Sequence, residues 1–256
     1  MSGELQGKVA LVTGAGSGIG YAISQCFAAE GAAIAINYFG HGDDAQALAT
    51  HVESEGGRAV ALEADVSDAK AVESLIGHIV DRFGRLDILV NNAGIEKSQP
   101  ILEIDEQDWD RVIAVDLKGP FLCLQAAGRQ MAASGGGSIV NISSIHEDFP
   151  FPGFTSYCAA KGGLRMLMRN AALELAAHDI RVNNIAPGAI ATPINASTLA
   201  DPAKVKRLGE LVPLRRMGKP DEVAQVALFL ASDRSSYVTG STYYVDGGIV
   251  QHAEAL

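Results

Sequence analysis

Short apolar runs rich in β-branched residues recur along the chain. They lie at Val9–Thr13, Ala33–Asn37, Ala59–Glu63, Asp87–Asn91, Ser138–Ile142, Arg181–Ala186 and Thr242–Val245. Most positions within a run are apolar, without the polar alternation of a half-exposed strand. Such strands are buried on both faces, as in a parallel sheet covered by helices. The intervening segments carry helical spacing and are long enough for right-handed crossovers. The pattern predicts an α/β fold: one doubly wound domain over residues 1–256, with a parallel sheet of roughly seven strands flanked by helices.

Two segments break the rhythm. Residues 106–133 are too long for an ordinary helix, and Gly119-Pro120 falls in their middle. Proline lacks the N–H and clashes with the preceding turn, so a kink or break is expected there. The stretch from Pro187 to Pro213 shows no clear period. It predicts an irregular segment beside a strand end, with a substrate lid at about 188–213.

Composition narrows the function. The chain has 256 residues, with 20 Lys plus Arg against 30 Asp plus Glu, a net charge of −10. An acidic chain without a basic patch repels phosphate backbones and anionic membranes, so neither nucleic acid nor membrane is an expected partner. Val9 to Ala29 is uncharged, but its Gly14, Gly16, Gly18 and Gly20 mark a turn rather than a spanning helix. The beginning of the chain does not read as a signal peptide. Three cysteines without metal-ligand spacing read as buried, reduced thiols in a cytoplasmic protein.

The first run leads directly into Thr13-Gly14-Ala15-Gly16-Ser17-Gly18-Ile19-Gly20, and a helical segment follows. Glycines let the backbone approach a pyrophosphate, and the helix N-terminus offers free N–H groups to it. Placed between first strand and first helix, this loop predicts a dinucleotide site. The second run ends Asn37-Tyr38-Phe39-Gly40-His41, with no carboxylate before Asp43 and no Arg or Lys. A carboxylate there would favour NAD by holding the ribose hydroxyls. Without it, Asn37, Ser17 and His41 are candidate donors to a 2′-phosphate. The residues lean towards NADP, with NAD also accommodated.

Tyr157 and Lys161 stand four residues apart at the start of a helical segment, on one face. An ammonium ~5 Å from a phenol, at an effective dielectric of ~20, favours the phenolate by about 3 kcal/mol, or roughly two pKa units. That predicts a tyrosine lowered towards the working range of a general acid/base. Other strand ends converge on the same sheet edge: Ser143-Ser144, Asn91-Asn92-Ala93-Gly94, and Pro187-Gly188 followed by Thr192.

Together, T-G-x-x-x-G-x-G, N-N-A-G, S-S, Y-x-x-x-K and P-G resemble the short-chain dehydrogenase/reductase family from Lys8 to about Gly248. The resemblance implies a Rossmann fold, with Tyr157 as acid/base, Ser144 holding the substrate oxygen, and Lys161 lowering the tyrosine pKa and binding the nicotinamide ribose. It implies a cofactor set of Gly14, Ser17, Gly18, Ile19, Gly20, Asn37, Tyr38, Phe39, Asp65, Val66, Asn91, Ala93, Gly94, Pro187, Gly188, Ile190 and Thr192. It implies no metal, and a homotetramer. One catalytic position departs from the pattern: Asp116 stands where the family usually carries an Asn that helps hold a proton-relay water.

Within the family the chain is similar to the glucose 1-dehydrogenases through Asn91–Glu96, Ser143–Glu147 and Gly188–Ala196. That similarity implies that Glu96, His146 and Asn195 reach sugar hydroxyls, as a polyol with several directional partners requires. The expected substrate is a small alcohol or carbonyl compound, an aldose oxidised at C1. Phe149, Phe151 and Phe154 point instead to an apolar pocket, as in an NADPH-dependent reductase of ketones, diketones or 3-oxoacyl groups, or else simply anchor their loop. Asp116 alone favours a third reading, a dinucleotide-binding sensor of low turnover.

Overall fold

The computed structural model describes residues 3–251; residues 1–2 and 252–256 of the expected domain lie outside the described residues. The strands are β1 (Val9–Val12), β2 (Ala33–Tyr38), β3 (Arg58–Glu63), β4 (Ile88–Asn91), β5 (Gly137–Ile142), β6 (Ile180–Pro187) and β7 (Thr242–Val245). Every run read from the sequence is a strand; β1, β2, β4, β5 and β6 are buried along nearly their whole length, while the edge strands β3 and β7 are half-exposed. Among the described residues all seven strands form one parallel sheet, ordered β3-β2-β1-β4-β5-β6-β7.

Successive residues of β1 point to opposite faces and join two cores. Val9 and Leu11 pack with α3 (Ala69–Phe83), α5 (Gly119–Ser134) and α6 (Thr155–Leu175). Ala10 and Val12 pack with α1 (Gly18–Ala29), α2 (Asp43–Ser54) and α9 (Pro220–Ala231). Strand order reverses between β1 and β4, which opens a crevice at their carboxyl ends.

The segment around Gly119-Pro120 is neither broken nor simply kinked. Helix α4 (Glu106–Ile113) passes into a π-helical turn, Ala114–Lys118, and then into α5. Pro120 has no N–H for the carbonyl of residue 116, and the ladder widens just before it. The widened turn contains Asp116, whose side chain is fully buried.

The segment after Pro187 is more regular than expected. It holds a short 3-10 turn (Pro193–Asn195), α7 (Ala196–Leu199) and α8 (Pro202–Leu211). Asp201 caps α8, accepting from the N–H of Ala203 at 2.9 Å and of Lys204 at 3.3 Å, with Pro202 in the first turn. These signals stand in the sequence. The cysteines also differ from expectation: none is paired among the described residues, yet only Cys123 is buried, while Cys26 and Cys158 are half-exposed.

A polar row crosses the carboxyl half of the sheet. Asn91, Asn141, Asn184 and Thr242 lie side by side in register on β4, β5, β6 and β7. Asn91 donates to Asn141 at 2.9 Å, and Asn141 donates to Asn184 at 2.9 Å. Asn184 and Thr242 both donate to the buried Glu147, at 3.0 and 2.7 Å. Each amide satisfies its neighbour, so these side chains tolerate full burial.

Candidate active site

The crevice at the reversal point is a cavity of about 1030 Å³. Its floor is the glycine loop. Gly14 has φ of 60°, and a Cβ there would lie 2.7 Å from the Cα of Ala93. Only glycine permits that turn beside β4. Asn92 holds the loop from β4, donating to the carbonyls of Thr13 at 2.8 Å and Gly14 at 3.0 Å. The first turn of α1 has no acidic residue, and Ser17 at its N-cap makes no side-chain cap bond. Its N–H groups therefore face the cavity with no competing anion, which fits a diphosphate. Across the cavity, Thr192 packs against Gly18.

The adenosine-side residues Asp65, Val66 and Phe39 line the same cavity. Asp65 is tethered by Arg111, which donates to its carboxylate and to the hydroxyl of Ser67, both at 3.2 Å. Hydrogen bonds from Ser67 and the Arg111 charge hold the Asp65 carboxyl below its ordinary range, against a burial effect that opposes them. Arg111 also lines the cavity. Nothing in the helical pattern of residues 106–113 signals that it reaches across to β3.

Of the expected phosphate donors, Asn37 is engaged within the fold and His41 stands apart from the cavity lining. The Asn37 amide group donates to the carbonyls of Tyr38, Leu62 and Ala64 at 3.1–3.3 Å, and its Oδ1 accepts from the N–H of Gly14. The residue braces the loop from within. His41 is exposed and outside the cavity lining. Ser17 keeps its place there.

Three further members of the expected cofactor set do not line the cavity. Asn91 belongs to the polar row, Gly20 packs beside the Asn92 amide, and the Tyr38 ring lies against Gly42. The other members do line it, as do Ser144, Tyr157, Lys161, Asp116, Glu96, His146 and Asn195.

At the centre, Ser144 leaves β5 and faces the same cavity as the Tyr157 phenol. One turn further along α6, the Lys161 Nζ lies 5.4 Å from the Tyr157 ring centre. It donates to the carbonyl of Ile142 at 3.2 Å and lies 3.2 Å from Asp116 Oδ2. The other Asp116 oxygen accepts from the N–H of Ile95 at 2.8 Å.

The expected lowering of the tyrosine pKa is reversed in this arrangement. Burial holds the Tyr157 phenol above its usual range. Lys161 and Ser144 pull it down, while the Asp116 and Glu96 charges push it up. The sequence estimate counted the lysine and omitted both desolvation and the carboxylates. The Asp116 carboxyl is itself raised by burial, against the pull of Lys161 and Ile95.

The far wall mixes polar and apolar groups. His146 Nδ1 lies 3.1 Å from the carbonyl of Phe149, and its ring stacks on Phe151 at 4.3 Å, which stacks on Phe154 at 4.1 Å. Burial holds the imidazole below its usual value, partly offset by the Phe149 bond. Asn195 donates to the carbonyl of Ile190 at 2.8 Å. Glu96 is raised by burial and, secondarily, by the Asp116 charge.

A parallel sheet with a glycine cradle at its reversal point, and a Ser-Tyr-Lys cluster over that cradle, defines a dinucleotide-dependent oxidoreductase. The comparisons with known proteins agree. The family profile described as "Enoyl-(Acyl carrier protein) reductase" matches residues 14–250. A "3beta-hydroxysteroid dehydrogenase 1" of Eggerthella lenta is 43% identical over 97% of this chain and 96% of its own. A "Glucose 1-dehydrogenase 2" of Bacillus subtilis is 39% identical over 99% and 98%. The crystal structure of a gluconate 5-dehydrogenase from Burkholderia cenocepacia, in complex with NADP and tartrate, superposes with a TM-score of 0.92 at 38% identity, covering 96% of both chains. The chain belongs to the short-chain dehydrogenase/reductase family and is an NAD(P)-dependent oxidoreductase. Among the described residues, no helix is long and apolar enough to cross a membrane.

Proposed function

We propose that the protein oxidises C1 of an aldose such as glucose to the lactone. One observation carries this reading: the wall facing Ser144 and Tyr157 offers hydrogen-bond acceptors. A carbonyl only accepts, so His146 gives its Nδ1 proton to Phe149 and keeps a lone pair on Nε2. Asn195 engages one amide proton on Ile190 and keeps Oδ1 as an acceptor. Glu96 adds a carboxyl group. A ring of hydroxyl donors matches such a set, whereas a ketone or a hydrocarbon offers it nothing. Sugar dehydrogenases are among the relatives.

In this reading Ser144 holds the C1 oxygen and the Tyr157 phenolate takes its proton. Lys161 stands one turn from Tyr157 and would hold the nicotinamide ribose. Gly14, Ser17, Gly18, Ile19 and the α1 N-terminus hold the diphosphate. Asp65 and Val66 would flank the adenine, and Thr192 would meet the carboxamide. A nicotinamide held by these residues would supply the hydride acceptor for oxidation at C1. Residues 188–213 act as the lid, in a single domain.

We further propose a cytoplasmic homotetramer. The unpaired thiols suit a reducing compartment. Exposed Phe121, Met166 and Leu173 on α5 and α6 suit helix pairing between subunits.

A second reading has its own observation. Ile95, Phe149, Phe151, Ile194, Leu208 and Val250 also line the cavity, and suit an apolar ketone or a hydroxysteroid. Product analysis separates the two. Proton NMR of glucose incubated with enzyme and NAD or NADP shows lactone and aldonate on the first reading. Unchanged sugar, with conversion of a diketone or a 3-hydroxysteroid, supports the second.

A further inference from the structure

The departure at position 116 changes the charge of the catalytic cluster. Asp116 is fully buried, and Lys161 is 4% exposed. Asp116 Oδ2 lies 3.2 Å from the Lys161 ammonium, yet has no hydrogen-bond partner. The contact is a charge contact without donor alignment. No side chain intervenes, because residue 94 is glycine; a Cβ there would lie 2.9 Å from Oδ2 and 3.6 Å from Nζ. The π turn sets this approach by placing residue 116 against both Ile95 and α6.

An amide in this position would be neutral, and Lys161 would act on Tyr157 with its full charge. With a carboxylate, lysine and aspartate form a pair of zero net charge beside the phenol. The other charged or titratable groups acting on the pair and the phenol are Glu96 after β4, Glu147 after β5, and His146, whose ring centre is 6.4 Å from that of Tyr157. Glu96 and Glu147 are acidic, and His146 is kept neutral by burial. Glu147 is met by the cation Arg165 on α6 at 3.4 Å, and none of the three is itself a cation near neutrality.

We propose that Asp116 is an ionised positioning residue that neutralises Lys161, withholds the lysine charge from Tyr157, and so moves alcohol oxidation to higher pH and favours carbonyl reduction near neutrality. This assignment rests on the Ser144-Tyr157-Lys161 cluster and not on the identity of the substrate. A unit charge at roughly 8 Å and an effective dielectric of about 20 corresponds to a shift on the order of one pH unit.

The test is Asp116→Asn, which keeps the shape and the acceptor for Ile95 while removing the charge. Phenolate formation in the full chain is followed at 295 nm against pH. The Tyr157 component is isolated by subtracting the matching Tyr157→Phe protein in each background. The expected result is a Tyr157 midpoint lower by about one pH unit in D116N, with the acidic limb of kcat/KM for glucose oxidation moved the same way. Asp116→Ser, smaller and equally uncharged, gives the same shift if the asparagine variant does not fold. A midpoint that stays within about 0.3 unit or rises overturns the proposal; residue 116 then acts as a neutral acid or a packing group. If glucose is not turned over, the aldose reading fails, and the absorbance titration still decides this one.

Discussion

His146 donates its Nδ1 proton to the carbonyl of Phe149 at 3.1 Å, which fixes the imidazole tautomer and leaves Nε2 as an acceptor in the cavity. The bond ties substrate recognition to the loop that follows Ser144. Replacing His146 or Asn195 with Ala removes one acceptor each. Each change is expected to raise KM for glucose about tenfold, near 1.4 kcal/mol, with the Kd for NADH unchanged. Steady-state kinetics and NADH fluorescence check this; an unchanged KM in both variants removes these side chains from the sugar site.

The same residue sets an acid limit. Burial lowers the His146 pKa, so the imidazole keeps its neutral form further into the acid range than a free imidazole does. The unfolded chain takes up this proton more readily, so its contribution to stability is present above pH 6.5 and declines as pH falls through the folded value. KM for glucose is expected to be flat from neutrality down to pH 6.5 and to rise only below it. His146→Gln abolishes that rise if the imidazole is its source.

The five inner strands were legible because burial on both faces leaves a strong signature in short apolar runs. The glycine loop, Ser144, Tyr157 and Lys161 were legible from spacing and from their places at strand ends. Asn37 was misread because residue type shows donors but not their partners, and its amide turns inward to three carbonyls. Asn91 entered the cofactor set through the family resemblance, and its side chain joins the polar row. Arg111 was invisible, because its partner Asp65 lies 46 residues away in sequence. The direction at Tyr157 was missed because desolvation depends on what surrounds the ring.

The polar row gives a stability prediction separate from catalysis. Asn141→Leu leaves Asn91 Nδ2 without its 2.9 Å acceptor and Asn184 Oδ1 without its donor. Two buried polar groups losing partners cost about 2–4 kcal/mol. Urea unfolding measures this; a loss below about 0.5 kcal/mol means the row is dispensable.

Gly14→Ala forces a side chain into a backbone with φ of 60° and within 2.7 Å of the Ala93 Cα. The loop must move to relieve the contact. NADH binding, followed by fluorescence, is expected to weaken at least about tenfold. Full retention of affinity places the diphosphate elsewhere.

Cofactor choice follows from the engaged Asn37 amide and the outward His41. Ser17 remains as a neutral donor, and Arg111 is the nearby cation, already paired with Asp65. Charge-assisted contacts provide most phosphate selectivity. Calorimetric Kd values for NAD and NADP are therefore expected to lie within about tenfold of each other. A ratio beyond about a hundredfold contradicts this account of the adenosine end.

The aldose reading is tested most directly by absorbance at 340 nm, with purified protein, glucose, and NAD or NADP at mildly alkaline pH. The account predicts a steady rise that depends on glucose and falls at least about a thousandfold in Tyr157→Phe. A flat trace with glucose, alongside NADPH loss on adding a small diketone, contradicts it and assigns the far wall to an apolar carbonyl substrate.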